Sequence, residues 1–168
     1  MPNLKILLLG LLLSSPVYAT IADNHQPITI TSDTLDGDLA KGSTVFSGNV
    51  VAVQGQRQLH SNQAYIYFDQ SGQVTNLKAL GSPAKTREVI DAKGNQVLGQ
   101  ALIIEYFPVQ SLIQYEQQAI IQENGNIFKG NLITYNIDKQ IVASPKTESN
   151  SGNETIILPP ADVTKTKS

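Results

Sequence analysis

The residues that could do chemistry are few and scattered. The chain of 168 residues has two histidines, His25 and His60, and no cysteine. His60 follows Leu59 in a strand-like run, so it faces the opposite side. No acid or nucleophile stands near it in sequence, and it reads as a surface histidine rather than a general base. Asp33, Asp36 and Asp38 form an acidic cluster. It lacks the suitably placed glycine and the distal glutamate of a calcium loop, and is read as turn chemistry. Glu105 lies between Ile104 and Tyr106, so it points away from them, towards solvent. No His, Cys or carboxylate spacing suits a metal, and no phosphate-cradling glycine loop joins a strand to a helix. Catalysis needs converging groups. The expectation is a protein that is not an enzyme, with no metal site and no cofactor.

What does recur is a strand phrase. Ser61-Asn62-Gln63-Ala64-Tyr65-Ile66, Ala101-Leu102-Ile103-Ile104-Glu105-Tyr106 and Gly130-Asn131-Leu132-Ile133-Thr134-Tyr135 each open on a small residue. Each has apolar side chains at its fourth and sixth positions, which share one face of a strand. Repeated strand units suggest sheets stacked along an axis, with Ala64, Ile66, Ile104, Tyr106, Ile133 and Tyr135 as a shared apolar lining. That lining is either an ordinary core or the wall of a ligand groove. Each methylene taken from water is worth about 0.8 kcal/mol, so a lipid chain needs no charge attraction to bind there. Stacked sheets also leave edges that can add a further strand. Candidate edges are Ile28, Thr29, Ile30 and Thr31 at one end, and Gln140, Ile141, Val142 and Ala143 at the other. Alternatively, the leader and tail cover them.

The flanks set the context. Lys5 precedes the apolar run Ile6–Leu13, and Val17-Tyr18-Ala19 offers a cleavage site. Residues 1–19 therefore read as an export signal. The run is short of the roughly 20 residues of a membrane span, so an uncleaved anchor is the weaker alternative. Residues 20–27 are a polar leader, 28–158 one domain, and 159–168 a disordered tail. Export without an anchor fits the bacterial periplasm. Without cysteine, burial and backbone pairing must hold the fold. The net charge is −2, with no basic cluster in the sequence, which argues against nucleic-acid binding.

Turn signals recur about every ten residues, which predicts an all-β fold of many short antiparallel strands. Strands are expected at Ile28–Thr31, Thr44–Gln54, Gln58–Asp69, Val74–Leu80, Ala84–Ile90, Gln96–Phe107, Ser111–Gln122, Ile127–Ile137 and Gln140–Ser144. Gly48-Asn49 reads as a bulge, Gly81-Ser82-Pro83 as a break, and Asn124-Gly125 as a type I′ hairpin. Asp33–Asp38 reads as a turn, and Glu154–Leu158 could add one more strand. Ser111–Ile121 is the best helical alternative.

Three further phrases carry a family likeness: Gln26–Asp33, Val45–Gly55 with its Phe-Ser-Gly-Asn-Val, and Lys129–Tyr135 with its Gly-Asn-Leu-Ile-Thr-Tyr. Glu88–Asp91 adds to them. Together with the export signal, these resemble the LptA family of lipopolysaccharide-transport proteins, the OstA-like group, across about residues 26–144. The resemblance implies a β-jellyroll with an open groove that takes the lipid A part of lipopolysaccharide. It implies end-to-end contacts with LptC-like and LptD-like jellyroll partners and with further copies of itself. Ile28 and Ile30 would stand at the groove's mouth, with Thr86, Ile104 and Tyr106 further along. Phe46, Val50, Ala64, Ile66, Ile133 and Tyr135 complete the expected lining. Thr86 departs from the large apolar residue expected there, the Gln70–Asn76 loop is shorter, and the tail after Pro145 aligns poorly. Two other readings stand beside the carrier. One is an envelope scaffold with a closed core, and the other is a hydrolase, which would need acids or histidines that do not cluster.

Overall fold

The computed structural model describes residues 26–38, 42–146 and 154–159. The expected signal segment, His25, and all but Pro159 of the tail lie outside them. The strands are β1 Thr29–Thr31, β2 Thr34–Asp38, β3 Ser43–Gln54, β4 Arg57–Phe68, β5 Val74–Val89, β6 Gln96–Phe107, β7 Leu112–Glu123, β8 Asn126–Asn136, β9 Ile141–Ala143 and β10 Thr155–Ile157. They form one antiparallel sheet in the order β1-β3-β4-β5-β6-β7-β8-β10, with β2 also on β3 and β9 also on β8. The all-β antiparallel jellyroll expected from the sequence is thus the observed fold. Hairpins join the successive long strands. At Asn124-Gly125 the φ angles are 48° and 82°, as a type I′ turn requires. Asp69 and Asp91 build two like turns, each carboxylate accepting backbone N–H bonds from two and four residues ahead, at 2.8 to 3.0 Å.

Two expectations change. Asp33–Asp38 is not a turn: residues 34–38 form edge strand β2, paired along the first half of β3. Backbone pairing at an edge needs no apolar side chains, so its aspartates gave no strand signal. Val74–Leu80 and Ala84–Ile90 are not separate strands. β5 runs through Gly81-Ser82-Pro83 as an irregularity in one 16-residue strand. The strand expected at Ser111–Gln122 is β7, not the helical alternative, and Gln117 and Gln118, with φ of 62° and 57°, form its bulge.

Those irregularities share a line. Register shifts fall at Ser47/Val50, His60/Gln63, Leu80/Ala84, Gln100/Ile103 and Glu116/Ala119, at least one in every long pairing. Bulges bend and twist a strand. Aligned across six strands, they crease the sheet so that its halves face each other. Ser61, Ala84, Ala101, Ala119 and Gly130 stand along the crease; the three alanines are buried there, and a Cβ on Gly130 would meet the Glu154 carboxylate. Ala101, which opens the second copy of the repeated phrase, is fully buried at this line.

The copies fall in register. Phe46, Ala64, Ala79, Ile104, Tyr115 and Ile133 are Cα partners in one row, and Thr44, Ile66, Leu77, Tyr106, Ile113, Tyr135 and Val142 in the next. Across the crease runs the row Ile30, Ala52, Leu59, Thr86, Gly99, Ile121, Phe128 and Ile156. These inward rows supply most of the core.

Candidate ligand groove and assembly edges

Near the crease, the space between the halves is filled. The Tyr115 ring lies over Gly99, where a Cβ would meet its Cε1 at 2.3 Å. Its hydroxyl is 2.7 Å from the Thr86 hydroxyl. Burial pushes the Tyr115 hydroxyl far above its ordinary value, and the bond to Thr86 only partly offsets that. This contact explains the departure at position 86. A tyrosine from the facing half already covers the site, and a threonine gives it a hydrogen-bond partner.

Away from the crease lies an apolar cavity. Its walls are Ile28, Ala52, Leu59, Leu77, Ile104 and Ile113, and Gln54, Arg57, Thr86 and Tyr106 also border it. It measures about 30 Å³. That admits about two waters and no acyl chain unless the halves move apart. Arg57 is 6% exposed and Glu88 7%. The guanidinium meets the Glu88 carboxylate at 2.9 and 3.3 Å, Gln54 Oε1 at 3.0 Å and the Tyr106 hydroxyl at 3.2 Å. Tyr106 donates to Gln54 Oε1 at 2.9 Å and lies beneath the guanidinium, 5.2 Å from ring centre to Cζ. Burial raises the Tyr106 hydroxyl, and the nearby Arg57 charge lowers it in part. Gln140 also bonds the Ile90 carbonyl at 3.2 Å, again joining the halves on the side away from the crease.

Two other concavities differ. At the far edge, β9 and β10 leave a gap of 180 Å³ along β8, lined by Phe128, Ile133, Val142, Ile156 and Glu154 among others. The larger of these two, 340 Å³, lies on an outer face with His60, Lys85, Arg87, Leu98 and Gln122. Lys85 and Arg87, two residues apart on β5, stand beside Leu98 there.

The expected lining residues divide accordingly. Ile28, Thr86, Ile104 and Tyr106 line the inner cavity, and Ile133 the far gap. Ile30, Phe46, Ile66 and Tyr135 belong to the core around them. Val50 and Ala64 are buried beside the crease, outside both spaces. The Tyr135 hydroxyl is buried without a partner, and burial raises it strongly. His60 is exposed on the outer face, as expected. Glu105 also points outward but is ion-paired with Lys78 at 2.6 Å rather than solvated alone. Sequence reading missed the Arg57–Glu88 pair. Arg57 lies two residues from Leu59, and Glu88 two from Thr86, so strand alternation already placed both inward.

Among the described residues, Thr29–Thr31 and Ile141–Ala143 of the candidate segments lie in outer strands, and Ile28 and Gln140 lie just outside those strands. β1 and β2 flank β3 at one end, and β9 and β10 flank β8 at the other. Large apolar side chains are exposed at both: Leu35 at the first, Ile141, Ile156 and Ile157 at the second.

The fold and site together define a creased, open-edged antiparallel jellyroll with an apolar seam. Among the described residues, no group of His, Cys, Asp or Glu could hold a metal ion. The profile of the family described as LptA/(LptD N-terminal domain) LPS transport protein matches residues 29–141. The chain belongs to this family. The lipopolysaccharide export system protein LptH of Pseudomonas aeruginosa is 31% identical over 129 residues, 77% of this chain and 74% of that one. LptA of Haemophilus influenzae is 31% identical over 140 residues, 81% of each chain. The crystal structure of Pseudomonas aeruginosa LptH, a periplasmic component of lipopolysaccharide transport, superposes with a TM-score of 0.77 at 26% identity, covering 83% of this chain and all of that one.

Proposed function

We propose that this protein is a periplasmic, non-enzymatic carrier in lipopolysaccharide transport. It holds the acyl part of lipid A between the halves of its sheet, and it bridges inner- and outer-membrane partners by strand addition at its two ends. The observation that carries the reading is the apolar cavity between the halves, walled by Leu59, Leu77, Ile104 and Ile113, in a sheet whose described residues end in short outer strands on both sides. Membership in a lipopolysaccharide-transport family supports it. Partners of the LptC and LptD type would add to β1 and β2 or to β9 and β10, and so would a second copy. Such heterologous contacts need not close into a ring. Residues 28–158 would be the carrier domain, with the export signal removed.

The test is photo-crosslinking from a benzophenone side chain at Ile28 or Tyr106, mixed with lipopolysaccharide, with Val109 as the control. Val109 is 83% exposed and away from the cavity. Crosslinks at Ile28 and Tyr106 but not at Val109 are expected. A folded protein that crosslinks at neither cavity position leaves the scaffold reading, a closed core with working edges.

A further inference from the structure

An antiparallel sheet with one face in water alternates apolar side chains inward and polar ones outward. The outward rows of this sheet follow that rule only in part, and they sort their charges by sign. On the half that carries β1 and β10, Val51, His60, Lys85, Gln100, Ile120 and Lys129 are successive Cα partners in one outward row. Val53, Gln58, Arg87, Leu98, Gln122 and Ile127 make the next. Lys85, Arg87 and Lys129 are exposed, and neither row contains a carboxylate. The half that carries β2 and β9 has the opposite sign. Its outward rows hold Asp36, Asp38, Glu105 and Glu116, with Lys78 as their one cation. Lys78 is taken up in its pair with Glu105, so the acids remain in excess.

Both faces also turn apolar side chains to solvent. Leu98, 41% exposed, stands with Ile120 and Ile127 on the basic face, and Tyr67, also 41% exposed, with Leu80 and Ile103 on the acidic one. The basic face is hollowed by 340 Å³ at Lys85, Arg87 and Leu98. We propose that these faces are the two sides of one interface, in which the basic outward face of one molecule packs against the acidic outward face of a second copy. The copies then lie side by side. This contact is separate from strand addition at the edges and does not depend on the groove. Eight strands about 4.8 Å apart and two rows deep give the basic face about 500 Å². A stable complex buries about 800 Å² on each partner, so apolar contact alone leaves this association weak. Complementary charge supplies orientation and makes the contact sensitive to salt. A basic face on an acidic one is heterologous: each pair keeps one free face of either sign and can add further copies.

The experiment uses the absence of cysteine from the chain. Leu98→Cys marks the basic face and Tyr67→Cys the acidic one, in two full-length proteins of different mass. They are mixed and joined with a short bis-maleimide. At about 10 mM salt the mixed dimer should exceed either like-with-like dimer by about tenfold, as a few exposed ion pairs allow. At about 0.5 M salt the excess should vanish. Strand addition at the edges gives the mixed pair no such excess, because both cysteines lie in interior strands, β6 and β4. Lys85→Glu with Arg87→Glu in the Leu98→Cys protein should abolish the excess. Asp36→Lys with Glu116→Lys in the Tyr67→Cys protein should then restore it. Equal yields of the mixed and like-with-like dimers overturn the proposal. An excess that survives salt or the charge reversal overturns it as well. If the reversed protein does not fold by circular dichroism, Lys85→Gln with Arg87→Gln takes its place, and an undiminished excess there refutes the interface.

Discussion

Gly99→Ala is the sharpest test of the creased architecture. The added Cβ would lie 2.3 Å from Tyr115 Cε1 and 2.5 Å from both Cζ and the hydroxyl oxygen. Ordinary carbon contacts are about 3.5–4.0 Å, so at least about 1 Å of movement is required. Neither neighbour gives easily. Tyr115 is 1% exposed, and its hydroxyl is tied to Thr86. Overpacking of this kind costs typically 1–3 kcal/mol, and a rigid, doubly held ring puts the expectation at about 3 kcal/mol. The assay is urea unfolding followed by circular dichroism, comparing unfolding free energies. Specificity comes from a double-mutant cycle with Tyr115→Leu. That change alone loses ring contacts and leaves Thr86 without its partner, but it vacates the space over Gly99. The pair should therefore be less destabilised than the summed single changes, by about 2 kcal/mol. Gly99→Ala within about 0.5 kcal/mol of the unmodified protein, or strict additivity, would mean that the halves are not closed by this contact.

Other outcomes follow from the same geometry. Burial raises the hydroxyls of Tyr106, Tyr115 and Tyr135. Unfolded tyrosines ionise near pH 10 while the folded ones keep their protons, so stability should fall as pH rises above about 10. For Tyr115 alone the slope is about 1.4 kcal/mol per pH unit, and Tyr115→Phe should flatten the profile by that much; urea midpoints at pH 9, 10 and 11 measure it. Backbone and side-chain bonds from Asn95 hold the Asp91 carboxyl below its ordinary value. The charged form supports the β5–β6 turn above the ordinary carboxylate range, and that support is lost as pH falls through the lowered value. Amide exchange at Lys93 and Asn95 should accelerate on acidification, beyond its intrinsic pH dependence, and not in Asp91→Ala. Ile141 and Ile157 are 52% and 44% exposed on edge strands, so Ile141→Asp with Ile157→Asp should shift sedimentation towards monomer. Each change should alter stability by no more than about 0.5 kcal/mol. Unchanged association would place the contacts elsewhere.

Much of this fold was legible because strand alternation survives in the sequence. Gln96–Phe107 was bounded by Asn95 before it and Pro108 after it, and the observed β6 has the same limits. Asn124-Gly125 gave the last long hairpin, and Gly48-Asn49 gave one bulge. The other bulges were hidden for a physical reason. Gln117 and Gln118 have no local turn preference, and it is the crease that puts them at positive φ. Gly81-Ser82-Pro83 looked like a chain break because a bulge and a turn draw on the same residue types. In the site, alternation found Ile104 and Tyr106. It did not find Leu77 or Ile113, which lie outside the repeated phrase and enter the cavity through pairing with Tyr106. Arg57 was passed over because arginine usually stays at the surface unless it is paired, and its partner is 31 residues away.

The contacts on the two sides of the seam differ in kind, and that difference bears on how it could open. At the crease the halves meet through alanines that are at most 1% exposed and through the Tyr115 ring over Gly99. Dispersion and burial hold that side, and an incoming molecule has nothing equivalent to offer in exchange. On the opposite side they meet through Arg57 to Tyr106 and Gln140 to the Ile90 carbonyl. Those are hydrogen bonds, and water or a polar ligand can replace both donor and acceptor at small net cost. A sheet tied in this way parts more easily on the polar side than at the crease. The apolar walls of Leu59, Leu77, Ile104 and Ile113 lie between the two. Opening on that side would expose them to an acyl chain while leaving the crease packed.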